Sequence, residues 1–296
     1  MRQAERFSEV LESLAADGAL DVVATAERLG VSASTIRRDL QVLEEQRMLT
    51  RTHGGAVAHD VLYELPLRYK AARKQEEKRR IAANAAMRVA DGAVVGLTGG
   101  TTTTEVARAL VERRAITVVT NALNIAGELA IRADVKLVVT GGTARTESYE
   151  LVGPVAERAL EGINLDVAFV GVDGISVASG LTTHHEIEAG TNRAMIRRAR
   201  HVVVVADSSK LDRAAFAQIC PLAEIDELIT DADAAPDVIR GISDEGVAVA
   251  DSSKLDRAAF AQICPLAEID ELITDADAAP DVIRGISDGG VAVAVA

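Results

Sequence analysis

Apolar residues recur at helical spacing in three stretches within the first 50 residues. The first stretch ends at Gly18 and the second at Gly30, since glycine is a common helix stop. The third stretch begins just after Gly30, where Ser32 or Ser34 is placed to cap a helix, and it reaches about Gln46. Helix, glycine-bearing turn and helix in this order predict a helix-turn-helix.

The third predicted helix turns polar residues away from a buried stripe made by Ile36, Leu40 and Leu43. Arginine can contact guanine or phosphate, and glutamine can read adenine. Two arginines on an amphipathic helix are by themselves more typical of a solvated face. The surrounding arrangement favours contact with DNA instead. The candidate DNA-binding residues of this helix are Ser32, Ser34, Thr35, Arg37, Arg38 and Gln41.

The segment MLTRTHGGAV, residues 48–57, predicts a short hairpin after the third helix. Arg51 and His53 fall near its tip, and the following Gly54-Gly55 pair allows a close approach of the backbone. A wing of this kind commonly contacts the phosphate backbone of DNA. Arg51 and His53 therefore join the candidate DNA-binding residues.

Dense alternating charge follows over residues 58–80 and predicts a linker that passes into a connecting helix. The basic cluster from Arg68 to Arg80 fits either contact with DNA or an ordinary solvated helix surface. Of these two interpretations, we favour the solvated surface.

Beyond Met87, short valine-rich runs alternate with helical patterns. The predicted strands are GAVVGL, ITVVT, VKLVV, LDVAFVGV and HVVVVA. Alternation of β-branched runs with helices is typical of a mainly parallel α/β sheet. Ligands bind such sheets beyond the carboxyl ends of the strands, so the residues that follow each run form the candidate site.

Polar groups and glycines follow these predicted strands. The segment TGGTTT, residues 98–103, leads directly into a helix whose first N–H groups and threonine hydroxyls can receive a phosphate or carboxylate. Other strand ends supply amide, carboxylate and ammonium groups, a set that suits a polyhydroxylated anion such as a sugar phosphate. The candidate effector-binding residues are Gly99, Gly100, Thr101, Thr102, Thr103, Asn121, Gly142, Asp173, Glu188 and Lys210.

Two other kinds of site are not indicated. TGGTTT lacks the Lys-Ser/Thr ending of an ATP-type P-loop, and it is not a GxGxxG dinucleotide motif. His184-His185 with Glu186 has no Cys or third His at a spacing suited to a metal. No catalytic residue, metal or other cofactor is therefore expected.

Charge and composition place the chain among cytoplasmic globular proteins. The formal net charge is −13, yet residues 1–80 hold 14 basic and 13 acidic residues, so the acidity belongs to the remainder. Salt screens charge over about 8 Å, and a distant acidic domain need not prevent DNA binding. The N-terminus lacks the pattern of a signal peptide, and no apolar run is long enough to cross a membrane.

Residues 206–249 and 250–293 have the same 44-residue sequence, except that Gly289 in the second copy corresponds to Glu245 in the first. Such near-identity indicates a recent tandem duplication or an error in the sequence, because adapted repeats diverge. Cys220 and Cys264 therefore occupy equivalent positions in the two copies, and they do not indicate a disulfide framework. If the first copy completes the sheet, we expect Lys210 to serve the site and Lys254 not to.

These residues resemble the DeoR family of bacterial transcriptional regulators. VSASTIRRDLQVLEEQ and LTRTHGGA are similar to its DNA-binding signature, and GLTGGTTTTEVA, VVTNALNIA, FVGVDGI and VVVADSSK are similar to its effector domain. The resemblance covers the chain to about residue 250. It implies a winged helix-turn-helix joined to a sugar-phosphate sensor related in fold to ribose-5-phosphate isomerase, usually in a repressor released by a phosphorylated metabolite.

The chain departs from the family pattern at three places. Arg47 stands where the family usually has glycine after the recognition helix, and Asn192 stands where it usually has lysine. The His184-His185 pair replaces a proline-bearing turn. Loss of the lysine charge at position 192 is expected to alter effector recognition.

We therefore expect an α/β protein with an N-terminal winged helix-turn-helix and a Rossmann-like, mainly parallel α/β sensor domain. The expected units are a DNA-binding domain over 1–57, a linker and connecting helix over 58–80, an effector-binding domain over 81–249 and the duplicate over 250–296. The expected partners are operator DNA, a phosphorylated sugar and further copies of the chain, because one helix-turn-helix makes too few contacts for a specific operator. Two rivals remain: a sugar-phosphate isomerase or hydrolase using Asp173, Glu188 and Lys210, and a metabolite-binding protein whose DNA-binding segment is inactive.

Overall fold

A computed structural model supplies the three-dimensional structure. It describes residues 2–46, 48–58, 66–71, 73–250, 271–274 and 292–295. Arg47, Lys254 and Cys264, about which the sequence raised expectations, lie outside the described residues.

The N-terminal domain is a winged helix-turn-helix, as predicted. Its elements are α1 (Gln3–Asp17), β1 (Ala19–Asp21), α2 (Val22–Leu29), α3 (Ala33–Glu45), β2 (Leu49–Arg51) and β3 (Gly55–Ala58). The three strands form an antiparallel sheet in the order β1-β3-β2. Sequence reasoning found the β2-β3 hairpin but missed β1, which is only three residues long.

Local signals fix the ends of these helices. Gly18 and Gly30 adopt left-handed conformations with φ of 73° and 64°, which glycine accepts without steric cost. The Ser32 hydroxyl accepts a hydrogen bond from the Thr35 N–H at 3.2 Å and caps α3, while Asp21 caps α2 in the same way. Of the two serines proposed as the α3 cap, the structure selects Ser32.

A short connecting segment touches both domains. It contains α4 (Leu67–Lys70) and α5 (Gln75–Ala86). Tyr69 is buried in the core of the N-terminal domain, with its ring centroid 6.2 Å from that of Phe7. Two residues earlier, the Leu67 N–H donates to the Glu147 carbonyl of the second domain at 2.7 Å. One turn of helix thus bridges the two domains.

The second domain is built on a seven-stranded, entirely parallel sheet, which confirms the predicted α/β class. Its strands are β4 (Val94–Leu97), β5 (Thr117–Thr120), β6 (Lys136–Val139), β9 (Leu165–Val170), β12 (Ala199–Val205), β14 (Glu227–Ile229) and β15 (Ala248–Ala250). Their order across the sheet is β15-β14-β12-β9-β4-β5-β6. The remaining helices are α6 (Thr101–Ala109), α7 (Leu123–Leu129), α8 (Pro154–Glu161), α9 (Glu186–Ile196) and α10 (Pro236–Asp244).

Both faces of this sheet are covered, which explains the nearly continuous apolar strands. Along β9, Val167 and Phe169 pack into one core, whereas Ala168 and Val170 pack into the other. Helices α5, α6 and α7 cover the first face, and α8, α9 and α10 cover the second.

Two small antiparallel sheets lie beside the main one. The larger contains β10 (Gly174–Ser176), β11 (Gly180–Thr183) and β13 (Ala217–Cys220), and the smaller pairs β7 (Thr143–Ala144) with β8 (Leu151–Val152). The strands of these two small sheets belong to the segments that connect the strands of the main sheet. Among the described residues, no helix has the length and apolar character needed to cross a membrane.

The first copy of the repeat supplies β13, β14, α10 and the first two residues of β15. Of these elements, β14 and β15 complete the main sheet. In the second copy, β16 (Glu271–Thr274) and β17 (Ala292–Val295) pair with each other in parallel. Glu271 faces Ala292 just as Glu227 faces Ala248 in the first copy. The two copies of this sequence therefore form the same strand pairing.

Candidate DNA-binding surface and effector cavity

Helix α3 presents one polar face to solvent. Ser34, Arg37, Arg38 and Gln41 are exposed, whereas Ile36, Leu40 and Leu43 are buried on the opposite side. Within the described part of the chain, the side chains of Arg37 and Arg38 have no hydrogen-bond or ion-pair partner. Two unpaired guanidinium groups on an exposed helix are available to a polyanion.

The other predicted residues of α3 are partly engaged within the protein. The Ser32 hydroxyl lies 2.8 Å from both the Ser34 and the Thr35 hydroxyls, in a cluster that caps the helix. The Gln41 side chain donates to Glu45 at 3.1 Å, a bond between exposed groups that a base edge can replace. Arg37 and Arg38 are therefore the strongest candidates on this face.

The wing follows directly behind this helix. Arg51 lies in β2, where its N–H donates to the Glu44 side chain at 3.0 Å, and His53 is exposed in the turn between β2 and β3. A Cβ on Gly55 would lie 1.8 Å from the Leu20 carbonyl oxygen, so only glycine allows β1 to pair here. The wing is thus held against the helices by a backbone contact.

A cavity of about 510 Å³ lies beyond the carboxyl ends of β4, β9 and β12. The connecting segment closes it on the side of the N-terminal domain. Seven predicted effector-binding residues line it together: Gly99, Gly100, Thr101, Thr102, Asp173, Glu188 and Lys210. The strand-end rule thus brings together residues that are more than 100 positions apart in the chain.

Three predicted residues lie behind this lining. The Thr103 hydroxyl donates to the Gly100 carbonyl at 3.0 Å, and Asn121 is buried with its amide 3.4 Å from Glu150. A Cβ on Gly142 would lie 2.8 Å from the Val152 carbonyl oxygen. The structure places these residues where they support the surrounding loops.

The glycine turn before α6 has the shape of an anion receptor. Gly100 has φ of 131°, which L side chains rarely adopt, and a Cβ on Gly99 would lie 2.5 Å from the Glu150 carboxyl oxygen. The first N–H groups of a helix have no partner within the helix. At α6 the residues that carry these groups, Thr101 and Thr102, line the cavity.

The connecting segment supplies four cations to the cavity: Lys70, Arg73, Lys74 and Lys78. This corrects the expectation of a solvated surface for these four residues, whereas Arg68, Arg79 and Arg80 of the same cluster are exposed as expected. The chain leaves the helical conformation between Lys70 and α5, where Lys74 has φ of 45°, so no helical spacing predicts that these side chains converge.

Lys78 is the most buried of these cations, with 4% of its surface exposed. Its ammonium donates to the carbonyls of Lys70 and Arg73 at 3.0 and 2.6 Å, and no carboxylate lies within ion-pair distance of it among the described residues. Burial lowers the pKa of Lys78 to about 8. A dianionic ligand would supply the negative counter-charge that this buried ammonium lacks.

Asp173 occupies the centre of the cationic side. Its carboxylate lies 3.0 Å from the Lys70 ammonium, 3.5 Å from that of Lys210 and 3.8 Å from the His184 ring. Burial opposes ionisation of Asp173, but the Lys70 and Lys210 ammonium groups hold its pKa well below the usual range. Asp173 is thus a fixed anion that positions two lysines.

The opposite side of the cavity contains a pair of buried carboxyl groups, Glu150 and Glu188. Glu188 contacts Arg145 and Ser148 and accepts from the Thr183 hydroxyl at 3.0 Å. Burial, followed by the charge of Glu188, raises the pKa of Glu150 well above its usual value. The fold therefore favours the neutral form of Glu150.

Asn192 lies on α9 beside these carboxyl groups. It is 4% exposed, it lines the cavity, and its Oδ1 atom accepts no hydrogen bond from any residue that the structure describes. A buried acceptor without a partner is costly, and a ligand hydroxyl would satisfy it. Asn192 therefore offers an acceptor where the family pattern offers a cation.

One side of the cavity thus attracts an anion, and the other offers donors and acceptors to hydroxyl groups. In the described part of the chain, no three His, Cys, Asp or Glu residues are grouped so that they could hold a metal. A small phosphorylated molecule with several hydroxyls matches both sides of the cavity.

Two protein-family models match the chain. The DeoR-like helix-turn-helix domain matches residues 6–61, and the DeoR C terminal sensor domain matches residues 73–232. The first range contains α1, α2, α3 and the wing, and the second contains most of the effector cavity.

Relatives with assigned roles match most of the chain. The HTH-type transcriptional regulator GlpR of Haloferax volcanii is 41% identical over 248 residues, 83% of this chain and 97% of that protein. A putative aga operon transcriptional repressor of Escherichia coli O157:H7 is 35% identical, with 82% of this chain and 91% of that protein covered. The glycerol-3-phosphate regulon repressor of Escherichia coli K12 is 31% identical, with 83% and 98% covered.

Proposed function

The chain belongs to the DeoR family of transcriptional regulators, and we propose that it represses transcription at an operator under the control of a phosphorylated sugar or polyol. One observation carries this proposal: a helix with two unpaired arginines is joined, through one turn of α4, to a cavity lined by lysines. A DNA-binding surface and an anion site are thus mechanically connected.

The DNA-binding step uses the exposed face of α3 in the major groove. Arg37 and Arg38 contact base edges or phosphates, and Ser34 and Gln41 lie on the same face. The wing residues Arg51 and His53 contact the flanking backbone. We propose that the chain acts as an oligomer, because two recognition helices are needed to reach the contact area of a specific operator.

The effector-binding step uses both sides of the cavity. The phosphate lies against the α6 N-terminus and the lysines of the connecting segment, with Lys210 as a further contact. The hydroxyls face Glu188, Glu150 and Asn192. The names of the relatives agree with this class of ligand, since one represses a glycerol-3-phosphate regulon and another an aga operon.

The test is binding of the purified chain to its own upstream DNA at fixed salt, measured by fluorescence anisotropy. A panel of sugar phosphates and glycerol 3-phosphate is then added, with the unphosphorylated compounds as matched controls. We expect binding that prefers the upstream sequence and that one ester, but not its parent alcohol, changes at least about tenfold, the size of a typical allosteric coupling. Binding that no ester changes would contradict the effector assignment.

We assign no reaction to the cavity. Asp173 is held as an anion by Lys70 and Lys210, so it is a poor general base at neutral pH. The isomerase alternative is tested in the same samples by looking for a product of each ester. Product formation that Glu188→Gln abolishes would favour the enzyme.

A further inference from the structure

One residue of the DNA-binding domain lines the effector cavity. Glu12 lies on α1, 61 residues before Arg73 in the sequence, and its carboxylate contacts the Arg73 guanidinium. Arg73 also lies 3.7 Å from Glu9, one turn earlier on the same helix. The N-terminal domain is thus tied to the edge of the cavity by two carboxylates that share one arginine.

Arg73 is also part of the cationic side of the cavity. Its side chain lines the cavity, and its carbonyl accepts a hydrogen bond from the buried Lys78 ammonium at 2.6 Å. Burial raises the pKa of Glu12 above its usual value, and the charges of Arg73 and Lys210 offset only part of that increase. Glu12 therefore experiences the positive potential that an effector phosphate would experience.

We propose that the Glu12 carboxylate and the anionic group of the effector compete for Arg73, so that an anion in the cavity loosens α1 from the connecting segment. This inference rests on the proposed function, because it takes the cavity as the anion site. The carboxylate acts as an internal anion that holds the DNA-binding domain in one position.

The consequence for the DNA-binding domain follows from its packing. Phe7 of α1 packs on Tyr69, whose hydroxyl contacts Gln46 at the end of α3. Loosening of α1 therefore changes the support of the recognition helix at the same place. In an oligomer, a recognition helix without a fixed position cannot match the spacing of two half-sites.

Thermodynamic linkage makes the competition measurable without DNA. If an anion weakens the Glu12–Arg73 contact, then removal of the Glu12 charge must strengthen anion binding by the same factor. Both side chains are about one-third exposed, so the contact is a modest one. We expect Glu12→Gln to tighten the binding of inorganic phosphate by about two- to fivefold, the range of a partly exposed ion pair.

The experiment is calorimetric titration of the full chain with inorganic phosphate at neutral pH and fixed ionic strength. The variants are Glu12→Gln, Arg73→Gln and the double variant, with Glu27→Gln as the control. Glu27 is an exposed carboxylate of α2 that does not line the cavity, so its removal changes the domain charge equally. In a double-mutant cycle, the effect of Glu12→Gln should disappear in the Arg73→Gln background.

Tighter binding in Glu12→Gln alone, lost in the Arg73→Gln background, supports the competition. Equal phosphate affinity in the unaltered chain, Glu12→Gln and Glu27→Gln overturns it while leaving the anion site intact. The same gain in Glu27→Gln, or persistence of the gain without Arg73, also overturns it, because the effect is then one of overall charge. Absence of phosphate binding in the unaltered chain would overturn both this inference and the proposed anion site.

Discussion

Arg6 of α1 and Asp39 of α3 form a two-bonded ion pair beneath the recognition helix. The Arg6 Nε and Nη2 atoms lie 2.7 and 3.0 Å from the two carboxylate oxygens of Asp39. Asp39 is 1% exposed, although it directly follows the exposed Arg37 and Arg38 in sequence. The pair fixes the orientation of the DNA-binding face relative to α1.

The first prediction is that Asp39→Asn destabilises the N-terminal domain. The substitution removes the negative charge that the Arg6 guanidinium contacts, and the Arg6 side chain is only 13% exposed. Breaking a buried ion pair by removal of one partner costs about 3–5 kcal/mol, and the retained amide should place the loss near about 2 kcal/mol. Urea unfolding followed by circular dichroism measures the change. Glu45→Gln, on the exposed side of the same helix, is the control, and equal stability of the two variants would refute the prediction.

The second prediction concerns the unpaired arginines of α3. Arg37→Ala and Arg38→Ala should each weaken operator binding by about 10- to 100-fold, the range of about 1–3 kcal/mol for a good base or phosphate contact. Anisotropy at fixed salt gives the dissociation constants. Arg200→Ala removes an exposed arginine from the sensor domain and should have no effect. If neither α3 variant binds more weakly than the control, α3 is not the reading helix.

Much of the fold could be predicted because its signals are local. The stripe of Ile36, Leu40 and Leu43 identifies α3 without reference to the rest of the chain. The parallel sheet follows from runs of β-branched residues. The strand-end rule then places Gly99 and Asp173 in one cavity, although no local signal connects them.

The residues that were missed depend on tertiary contacts. Lys78 belongs to a charge-rich segment whose sequence fits a solvated helix, and only the position of α5 against the sheet shows that its ammonium is buried. Glu12 occurs in a helix whose apolar stripe fully accounts for its pattern. No periodicity in one segment can reveal that a charged residue faces a different domain.

The third prediction follows from the burial of Glu150 beside the charge of Glu188. Because the fold favours the neutral form of Glu150, Glu150→Gln keeps its shape and hydrogen bonds and should change the free energy of unfolding by less than about 1 kcal/mol at about pH 4, where the unfolded carboxyl is largely protonated as well. A carboxyl whose folded pKa is raised loses stability as pH rises above its unfolded value, here 4.5. Unfolding of the unaltered chain between pH 4.5 and 7 should therefore show a decline that the variant lacks. An equal decline in both proteins would show that a group other than Glu150 causes the loss of stability.

The fourth prediction is that anion binding weakens as pH rises through about 8, where burial has placed the pKa of Lys78. Sulfate is a suitable probe because its charge is constant from pH 7 to 9. The folded pKa lies below the ordinary value of 10.5, so the fold itself should gain stability between about 8 and 10.5.

Lys78→Met should bind sulfate more weakly at pH 7 and should lose most of the pH dependence. Titrations at pH 7, 8 and 9 at one ionic strength make the comparison. A pH profile that is unchanged in this variant would assign the titration to another group.

The fifth prediction uses the duplicated segment as its own control. Lys210 lines the cavity 3.5 Å from Asp173, whereas Lys254 occupies the same place in the second copy of the sequence. The sequence around both lysines is ADSSKLDR, so the two substitutions remove the same side chain from the same local sequence. Lys210→Met should weaken binding of the effector ester by about tenfold or more, the worth of a charge-assisted hydrogen bond of about 1.5–3 kcal/mol. Lys254→Met should leave it unchanged.

Calorimetry with the ester found in the operator assay measures both variants. Removal of residues 251–296 should also leave ester affinity unchanged, because β14 and β15 of the first copy complete the sheet. If Lys254→Met instead weakens binding as much as Lys210→Met does, the two copies contribute equally to the site. If neither variant alone has an effect but the double variant loses binding, either copy can supply the lysine to the site. The first copy would then not be the only one that can complete the sheet.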